Sequence, residues 1–354
     1  MGDALSSALV TSEFIGGDAV TQFEGSWASY CGAAQSVATS SGTSALQMTL
    51  EALGIGKGDE VLIPANTFFG AVAAVLRSGA VPVYCDVAAR TLLIDLEDAE
   101  SKITSRTRAM IVVHLFGNVC DMESATAFAT THELLVIEDA AQAHGATWRD
   151  GRSGSFGFPA CYSFYPGKNL GALGDAGGVV ADDVDLIARV RSLGDHGRDA
   201  ACRHLHIAIG ANERMDALQA AFLSLKLVKL DAWNNRRRQI AAQYLEVLPL
   251  GDVEPVWEES GSRSCFHQFV VRVQRRDTVL GRLRAHGVAA DVHYPVPCHL
   301  QPASKAILDV PSLPVVERAS REILSLPCDP SLSDADVERV AEIVSRAVLR
   351  KDEA

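Results

Sequence analysis

Residues 134–145 read Leu-Leu-Val-Ile-Glu-Asp-Ala-Ala-Gln-Ala-His-Gly. A run of apolar residues that ends in carboxylates and small residues predicts a strand, Leu134–Asp139, buried on both faces. Ligands of open α/β sheets gather just outside the carboxyl ends of strands, which makes Asp139 a candidate site carboxylate. A helix N-cap or a loop ion pair is the ordinary alternative for such an Asp. Upstream, the same texture predicts strands at Val61–Pro64, Val81–Val87 and Ala109–Phe116. Downstream it predicts Ala160–Phe164 and Gly178–Ala181. Between them lie helical patterns. Met122–His132 puts Met122, Ala125, Phe128 and Ala129 on one face, and Asp183–Leu193 does so with Leu186, Ile187, Val190 and Leu193. Apolar strands separated by helices predict a mostly parallel sheet covered on both faces.

Two long helical patterns follow, about Arg214–Leu230 and Ala232–Leu248, and then the texture changes. Phe266–Val273 alternates as a half-buried strand, Asp277–His286 reads as a helix and Val288–His293 as another strand. Ser333 and Asp336 form a capping pair before a last helix with Val337, Val340, Val344 and Val348 on one face. The expected architecture is a large α/β domain over residues 1–250 and a small α+β domain over 251–354, divided near Pro249–Glu254. The length of 354 residues suits that division at ~150 residues per domain.

Composition narrows the function. Hydrophobic residues are 48% and charged residues 21%, which excludes disordered and collagen-like chains. Asp plus Glu exceed Lys plus Arg by 44 − 32 = 12, and so acidic a chain is poorly suited to nucleic acid or anionic membranes. The first basic residue is Lys57, so a positively charged leader is not expected, and no apolar run is long enough to span a bilayer. The eight cysteines each stand 30 or more residues from the next, a spacing that predicts single thiols in a reducing cytoplasm.

Two further segments carry chemistry. In Ser163-Phe-Tyr-Pro-Gly-Lys168-Asn-Leu-Gly, a lone lysine sits in a Gly-rich stretch after a strand. A lysine held inside a protein has a lowered pKa and can form a Schiff base with an aldehyde; a solvated loop lysine is the bland alternative. Ser40-Ser-Gly42-Thr43-Ser44 opens a helix with Leu46, Leu50 and Leu53 on one face, and free amides at such a start bind anions. Simple Ser/Thr capping would look the same. Together, a phosphate cradle, a strand-end carboxylate and a lysine 29 residues later are the parts pyridoxal phosphate needs.

At this point the chain resembles the DegT/StrS family of pyridoxal-phosphate-dependent sugar aminotransferases. The resemblance runs from about Phe14 to Val348. It rests on Ser-Gly-Thr-Ser-Ala-Leu (41–46), Gly-Asp-Glu-Val-Leu-Ile-Pro (58–64), Val-His-Leu-Phe-Gly (113–117) and Glu-Asp-Ala-Ala-Gln-Ala-His-Gly (138–145). Ser-Phe-Tyr-Pro-Gly-Lys-Asn-Leu-Gly (163–171), Gly-Ala-Asn-Glu-Arg-Met-Asp (210–216) and His-Tyr-Pro-Val-Pro (293–297) extend it. It implies the fold-type I aspartate aminotransferase architecture, with a seven-stranded large domain. It also implies pyridoxal 5′-phosphate as cofactor, alternating with pyridoxamine 5′-phosphate. Lys168 would hold the cofactor aldehyde and shuttle the proton, and Asp139 would pair with the ring nitrogen. Gln142 would bond the ring hydroxyl and Phe68 would stack on the ring. Gly42, Thr43 and Ser163 would hold the phosphate, joined by the backbone of Ser44, which stands where many relatives carry Asp. Asn212 would reach the cofactor phosphate of the other subunit in a cytoplasmic homodimer with shared sites. His293, Tyr294 and Arg214 would contact the sugar.

The segment around Lys168, with His-Tyr-Pro-Val-Pro-Cys-His-Leu-Gln-Pro-Ala (293–303), looks most like members that aminate C3 of a nucleotide-linked keto-6-deoxyhexose, dTDP-linked by expectation, with L-glutamate as donor. The alternatives are a C4 or cyclitol aminotransferase, a sugar dehydratase, in which His replaces the lysine, or a non-catalytic sugar-binding protein. Three features are set aside. His204-Leu-His206 lacks partners at metal-site spacing, and Gly54–Gly58 precedes a strand rather than following one. The basic run Trp233–Arg238 reads as a solvated helix face, with a nucleotide diphosphate contact as its second reading.

Overall fold

The computed structural model describes residues 10, 12–308 and 312–349. Seven strands build the main sheet: β1 (Gln35–Thr39), β2 (Glu60–Pro64), β3 (Val81–Cys85), β4 (Thr107–Val113), β5 (Leu135–Asp139), β6 (Ala160–Ser163) and β7 (Gly177–Ala181). Their order across the sheet is β1-β7-β6-β5-β4-β2-β3. Only β7 runs against its neighbours, pairing antiparallel with both β1 and β6. All the others pair in parallel. β2 is buried along its whole length, as a strand covered on both faces must be. Helices α1 (Gly17–Cys31), α2 (Gly42–Ala52), α3 (Phe69–Arg77), α4 (Leu96–Glu100), α5 (Met122–Thr131) and α6 (Val184–Gly194) flank it.

The parallel strands end together, and that edge carries the site. The carbonyl of Asp139 accepts from the His114 amide at 3.0 Å, and the next amide, Ala140, donates to the Cys161 carbonyl at 2.9 Å. The strand therefore stays locked on both sides up to the residue where it stops. On the far side, β1 delivers the chain to Ser41, whose hydroxyl accepts from the Ser44 amide at 3.1 Å and caps α2. Gly177 allows β7 to pass this cap, since a Cβ there would lie 2.2 Å from the Ser41 carbonyl carbon.

Helices α7 (Ala217–Leu227) and α8 (Leu230–Val247) lead to a second, smaller core. Here an antiparallel sheet of β8 (Val253–Pro255), β9 (Phe269–Val273) and β10 (Ile323–Leu326) packs with α9 (Arg276–Ala285) and the last helix, α11 (Asp334–Leu349). The expected cap of α11 is present, with Asp336 Oδ2 accepting from the Ser333 amide at 3.0 Å and Ser333 Oγ from the Asp336 amide at 3.2 Å. The strand expected at Val288–His293 is not formed. Only Asp291 pairs with the edge of β10, through both of its backbone groups with Ser325. Pro295 and Pro297 follow and have no N–H to continue a ladder, so the chain leaves the sheet and turns toward the cavity described below.

The two cores are fastened at several points. Helix α8 starts with Leu230 in the first core and reaches the second with Ile240, Ala241 and Tyr244. Its arginines correct the nucleotide reading of Trp233–Arg238. Arg236 donates to the Leu332 carbonyl and pairs with Asp334, Arg237 donates to the carbonyls of Phe266 and Cys328, and Arg238 donates to that of Ser264. These side chains are used in joining loops of the smaller core to the helix, and none lines the main cavity.

Asp86, just past β3, makes another fastening. It accepts from the amides of Val315 and Val316 at 2.9 and 2.8 Å, capping α10 (Pro314–Glu322) from a distant part of the chain. Asp86→Ala would leave those amides unpaired near the protein interior, and we expect a loss of about 3 kcal/mol. Urea unfolding of the variant beside the parent protein measures it.

Candidate active site

A cavity of about 620 Å³ opens at the carboxyl ends of the parallel strands. Each wall comes from a different element. Gly42 and Thr43 come from the start of α2, Phe68 from the cap of α3, Asp139 from the end of β5 and Gln142 from the turn after it. Ser163 ends β6, and Lys168 lies five residues further on. His293 and Tyr294 arrive on the segment that leaves the edge of β10 after Asp291 and close the opposite side, with the Tyr294 ring 5.8 Å from that of Phe68.

The polar groups are held in defined orientations. Gln142 Oε1 accepts from the Phe116 amide at 2.6 Å, which turns Nε2 toward the cavity, where it donates to the Tyr294 hydroxyl at 3.0 Å. His293 Nδ1 lies 3.0 Å from Ser325 Oγ. Asp139 Oδ1 accepts from the Ala141 amide at 3.1 Å. Burial raises the Asp139 carboxyl above the usual carboxylate range, against the lowering effects of that amide and of Lys168. Burial lowers the Lys168 ammonium to about 8, with the Asp139 charge opposing it. Burial also raises the Tyr294 phenol and lowers the His293 imidazole.

These residues fit pyridoxal phosphate. Gly42 is needed where it stands, because a Cβ there would come within 2.7 Å of Ser163 Cβ. The cradle between the α2 terminus and β6 is therefore a backbone cradle, and the helix dipole favours an anion in it. Asp139 is a buried carboxylate that accepts from the Ala141 amide and forms no ion pair with a side chain among the described residues, which suits a protonated ring nitrogen. Lys168 is a lysine whose amine is partly neutral near physiological pH, as capture of an aldehyde requires. Gln268 Oε1, at the cavity wall, is buried without a hydrogen-bond partner and awaits a donor.

The lowered Lys168 value has a measurable sign. With a value of about 8, roughly a tenth of the amine is neutral at pH 7, far more than for a solvated lysine. Capture of pyridoxal phosphate by the cofactor-free protein should accelerate from pH 6.5, pass half its rise near about 8 and then level off, whereas an ordinary lysine would still be climbing. Stopped-flow absorbance across that range reads the curve.

Gly42, Thr43, Phe68, Asp139, Gln142, Ser163, Lys168, His293 and Tyr294 all line the one cavity. Ser44, Asn212 and Arg214 do not. The Ser44 amide is taken by Ser41, and its hydroxyl donates to Glu213. Arg214 pairs with Asp195 at a separate cavity of about 310 Å³, and Asn212 is exposed, bridging Asp195 through the backbone. Sequence reading missed His267 and Gln268, which line the main cavity. Their only trace in the sequence is a polar pair at the entrance to an apolar strand, Phe266-His-Gln-Phe-Val-Val271.

Residues 2–345 match the DegT/DnrJ/EryC1/StrS aminotransferase family. The chain is 40% identical to the dTDP-3-amino-3,4,6-trideoxy-alpha-D-glucose transaminase of Streptomyces venezuelae, over 99% of this chain and 93% of that one. Its fold superposes on S. venezuelae DesV, solved in complex with a ketimine intermediate, with a TM-score of 0.96 at 39% identity, covering 99% of this chain and 95% of that one. It is also similar to NtdA from Bacillus subtilis, solved with bound cofactor PMP, with a TM-score of 0.91 at 32% identity over 98% of this chain and 81% of that one.

Proposed function

The chain belongs to the DegT/DnrJ/EryC1/StrS aminotransferase family, and from that membership we propose that it moves an amino group from L-glutamate to C3 of a dTDP-linked keto-6-deoxyhexose. It is a pyridoxal-phosphate-dependent nucleotide-sugar aminotransferase. The observation that carries the reading is the meeting of Lys168, Asp139 and the Gly42–Thr43 cradle in one cavity. The reading includes a homodimer in which exposed Asn212 faces the partner's site. It also includes a cytoplasmic setting, which suits eight cysteines of which seven are buried and none is paired.

When bound, the cofactor accepts the electron pair released at the carbon that bears nitrogen, and it carries the amino group between the two half-reactions. The residues of this chain supply the rest. Gly42, Thr43 and Ser163 would hold the phosphate. Phe68 would fix the plane of the ring, and Gln142 would donate to its hydroxyl. Asp139 would keep the proton on the ring nitrogen. Lys168 Nζ would take the proton from the donor carbon and pass it to the cofactor, and in the second half-reaction would carry one from the cofactor to sugar C3. L-glutamate leaves as 2-oxoglutarate, and the keto oxygen leaves as water. His293 and Tyr294 would orient the sugar.

The test is a visible absorption spectrum of the purified protein before and after L-glutamate. A yellow protein that bleaches, with release of 2-oxoglutarate, supports the cofactor and donor; a protein left colourless by added pyridoxal phosphate overturns both. Proton NMR of the product from a dTDP-3-keto-6-deoxyhexose decides C3.

A further inference from the structure

Asn234, on α8, is fully buried. An apolar side chain would anchor a helix at such a point without the cost of burying an amide. Both of the Asn234 side-chain hydrogen bonds go to segments that carry site residues. Nδ2 donates to the His144 carbonyl at 2.7 Å, and a carbonyl can only accept, which fixes the direction of the amide. Oδ1 then accepts from Asn169 Nδ2 at 2.9 Å. The second proton of that nitrogen goes to the Cys265 carbonyl at 3.1 Å, so the two amides agree in direction. A direct tie runs alongside, where the Leu170 amide donates to His144 Nδ1 at 3.1 Å.

The places of these residues in the chain give the ties their meaning. His144 lies in the turn that begins at Asp139. That turn is stiffened from within, by the Ala143 amide on the Ala140 carbonyl at 2.9 Å and the Ala146 amide on the Ala143 carbonyl at 3.0 Å. Asn169 and Leu170 directly follow Lys168, whose own amide donates to the Tyr165 carbonyl at 2.9 Å. Gly145 lets α8 come this near, since a Cβ there would lie 2.9 Å from Asn234 Nδ2 and 2.2 Å from the Tyr30 hydroxyl. We propose that Asn234 is a positioning residue for Lys168: it clamps the loop after Lys168 to the turn after Asp139, and so fixes where the amine stands relative to the carboxylate and to open water. The purpose of the clamp rests on the aminotransferase reading, while the clamp itself stands on the hydrogen bonds.

The experiment uses the full-length, cofactor-free protein. Competitive acetylation with acetic anhydride from about pH 6 to about pH 10, read by mass spectrometry of the Lys168 peptide, gives the titration midpoint of the amine. The parent is expected at about 8. The titratable groups around the amine are Asp139, His144, Cys265, His267 and His293, and all are kept in the variants. Asn234→Ala should move the midpoint up by about one pH unit, because a freed loop lets water reach the amine. Leu230→Ala is the control: one turn earlier on α8 and buried in the first core, it should lower the melting temperature and leave the midpoint at the parent value. A midpoint unmoved or lowered in Asn234→Ala, or raised as far in Leu230→Ala, makes Asn234 purely structural and overturns the proposal. A parent midpoint at the ordinary lysine value of about 10.4 overturns it as well. Should Asn234→Ala fail to fold, Asn169→Ala severs the same clamp from the loop side and its midpoint is judged in the same way. No cofactor enters the labelling, so a parent that never binds pyridoxal phosphate would refute the aminotransferase reading and leave the clamp to be judged by its own midpoints.

Discussion

Lys168→Ala is expected to fold normally and to lose transamination by on the order of 10⁴-fold or more. The side chain is asked to do two things, to hold the cofactor aldehyde and to move a proton between carbon and nitrogen, and no neighbour can replace it. His267 has its Nδ1 3.1 Å from Asn169 Oδ1, and an imidazole cannot hold an aldehyde as an imine. His293 faces Ser325, and Tyr294 is a phenol raised by burial. The fold should not suffer, because the Lys168 amide, which bonds the Tyr165 carbonyl at 2.9 Å, is kept. Removing an ammonium already disfavoured by burial costs nothing and should leave the thermal midpoint level or slightly higher. Product formation and a thermal melt of the same sample read both halves. Retained turnover would sink the assignment of Lys168.

Asp139→Asn is the second large effect, with turnover expected to fall about 10³-fold. The amide has the shape of the carboxyl and can still accept from Ala141, but it has no charge with which to keep a proton on the ring nitrogen. Stability should move the other way. Burial raises the Asp139 carboxyl, so ionising it in the cofactor-free protein costs folding energy. That cost is absent below the unfolded carboxyl value and grows as pH rises through the folded one. The cofactor-free Asn variant should therefore be more stable than its parent at neutral pH, with the gap closing toward acid. Urea titrations at pH 4 and pH 7 check the sign.

What the sequence disclosed follows from which elements have a simple environment. Strands β2, β4 and β5 are buried almost throughout, so their apolar runs were plain. Strand β1, Gln-Ser-Val-Ala-Thr, has small and polar residues and was passed over, because what fixes it is pairing with β7. Strand β10 follows α10 without a break and gave no separate pattern, while Val288–His293 had strand texture but no edge to pair beyond Asp291. In the site, the residues with motif spacing were legible: Asp139, Lys168, Gly42 and Thr43 all line the cavity. His267 was not, since its position depends on Asn169 and Asn234, 98 and 33 residues away. The arginines of α8 misled for a related reason: a basic run exposed on a helix wheel is spent here on carbonyls that only the folded chain brings near.

Helix α8 also limits how the molecule can open. One uninterrupted rod of 18 residues is embedded at its start in the first core and at its end in the second, and Asp86 fastens the other flank. A hinge needs a joint, and a rod shared by both bodies is the opposite of one. Swinging the smaller body away would pull Ile240 and Tyr244 out of their packing or tear Leu230 from its own. Heat should therefore melt both cores in a single cooperative step, and nucleotide sugars must enter by rearranging side chains and loops at the rim rather than by a clamshell motion.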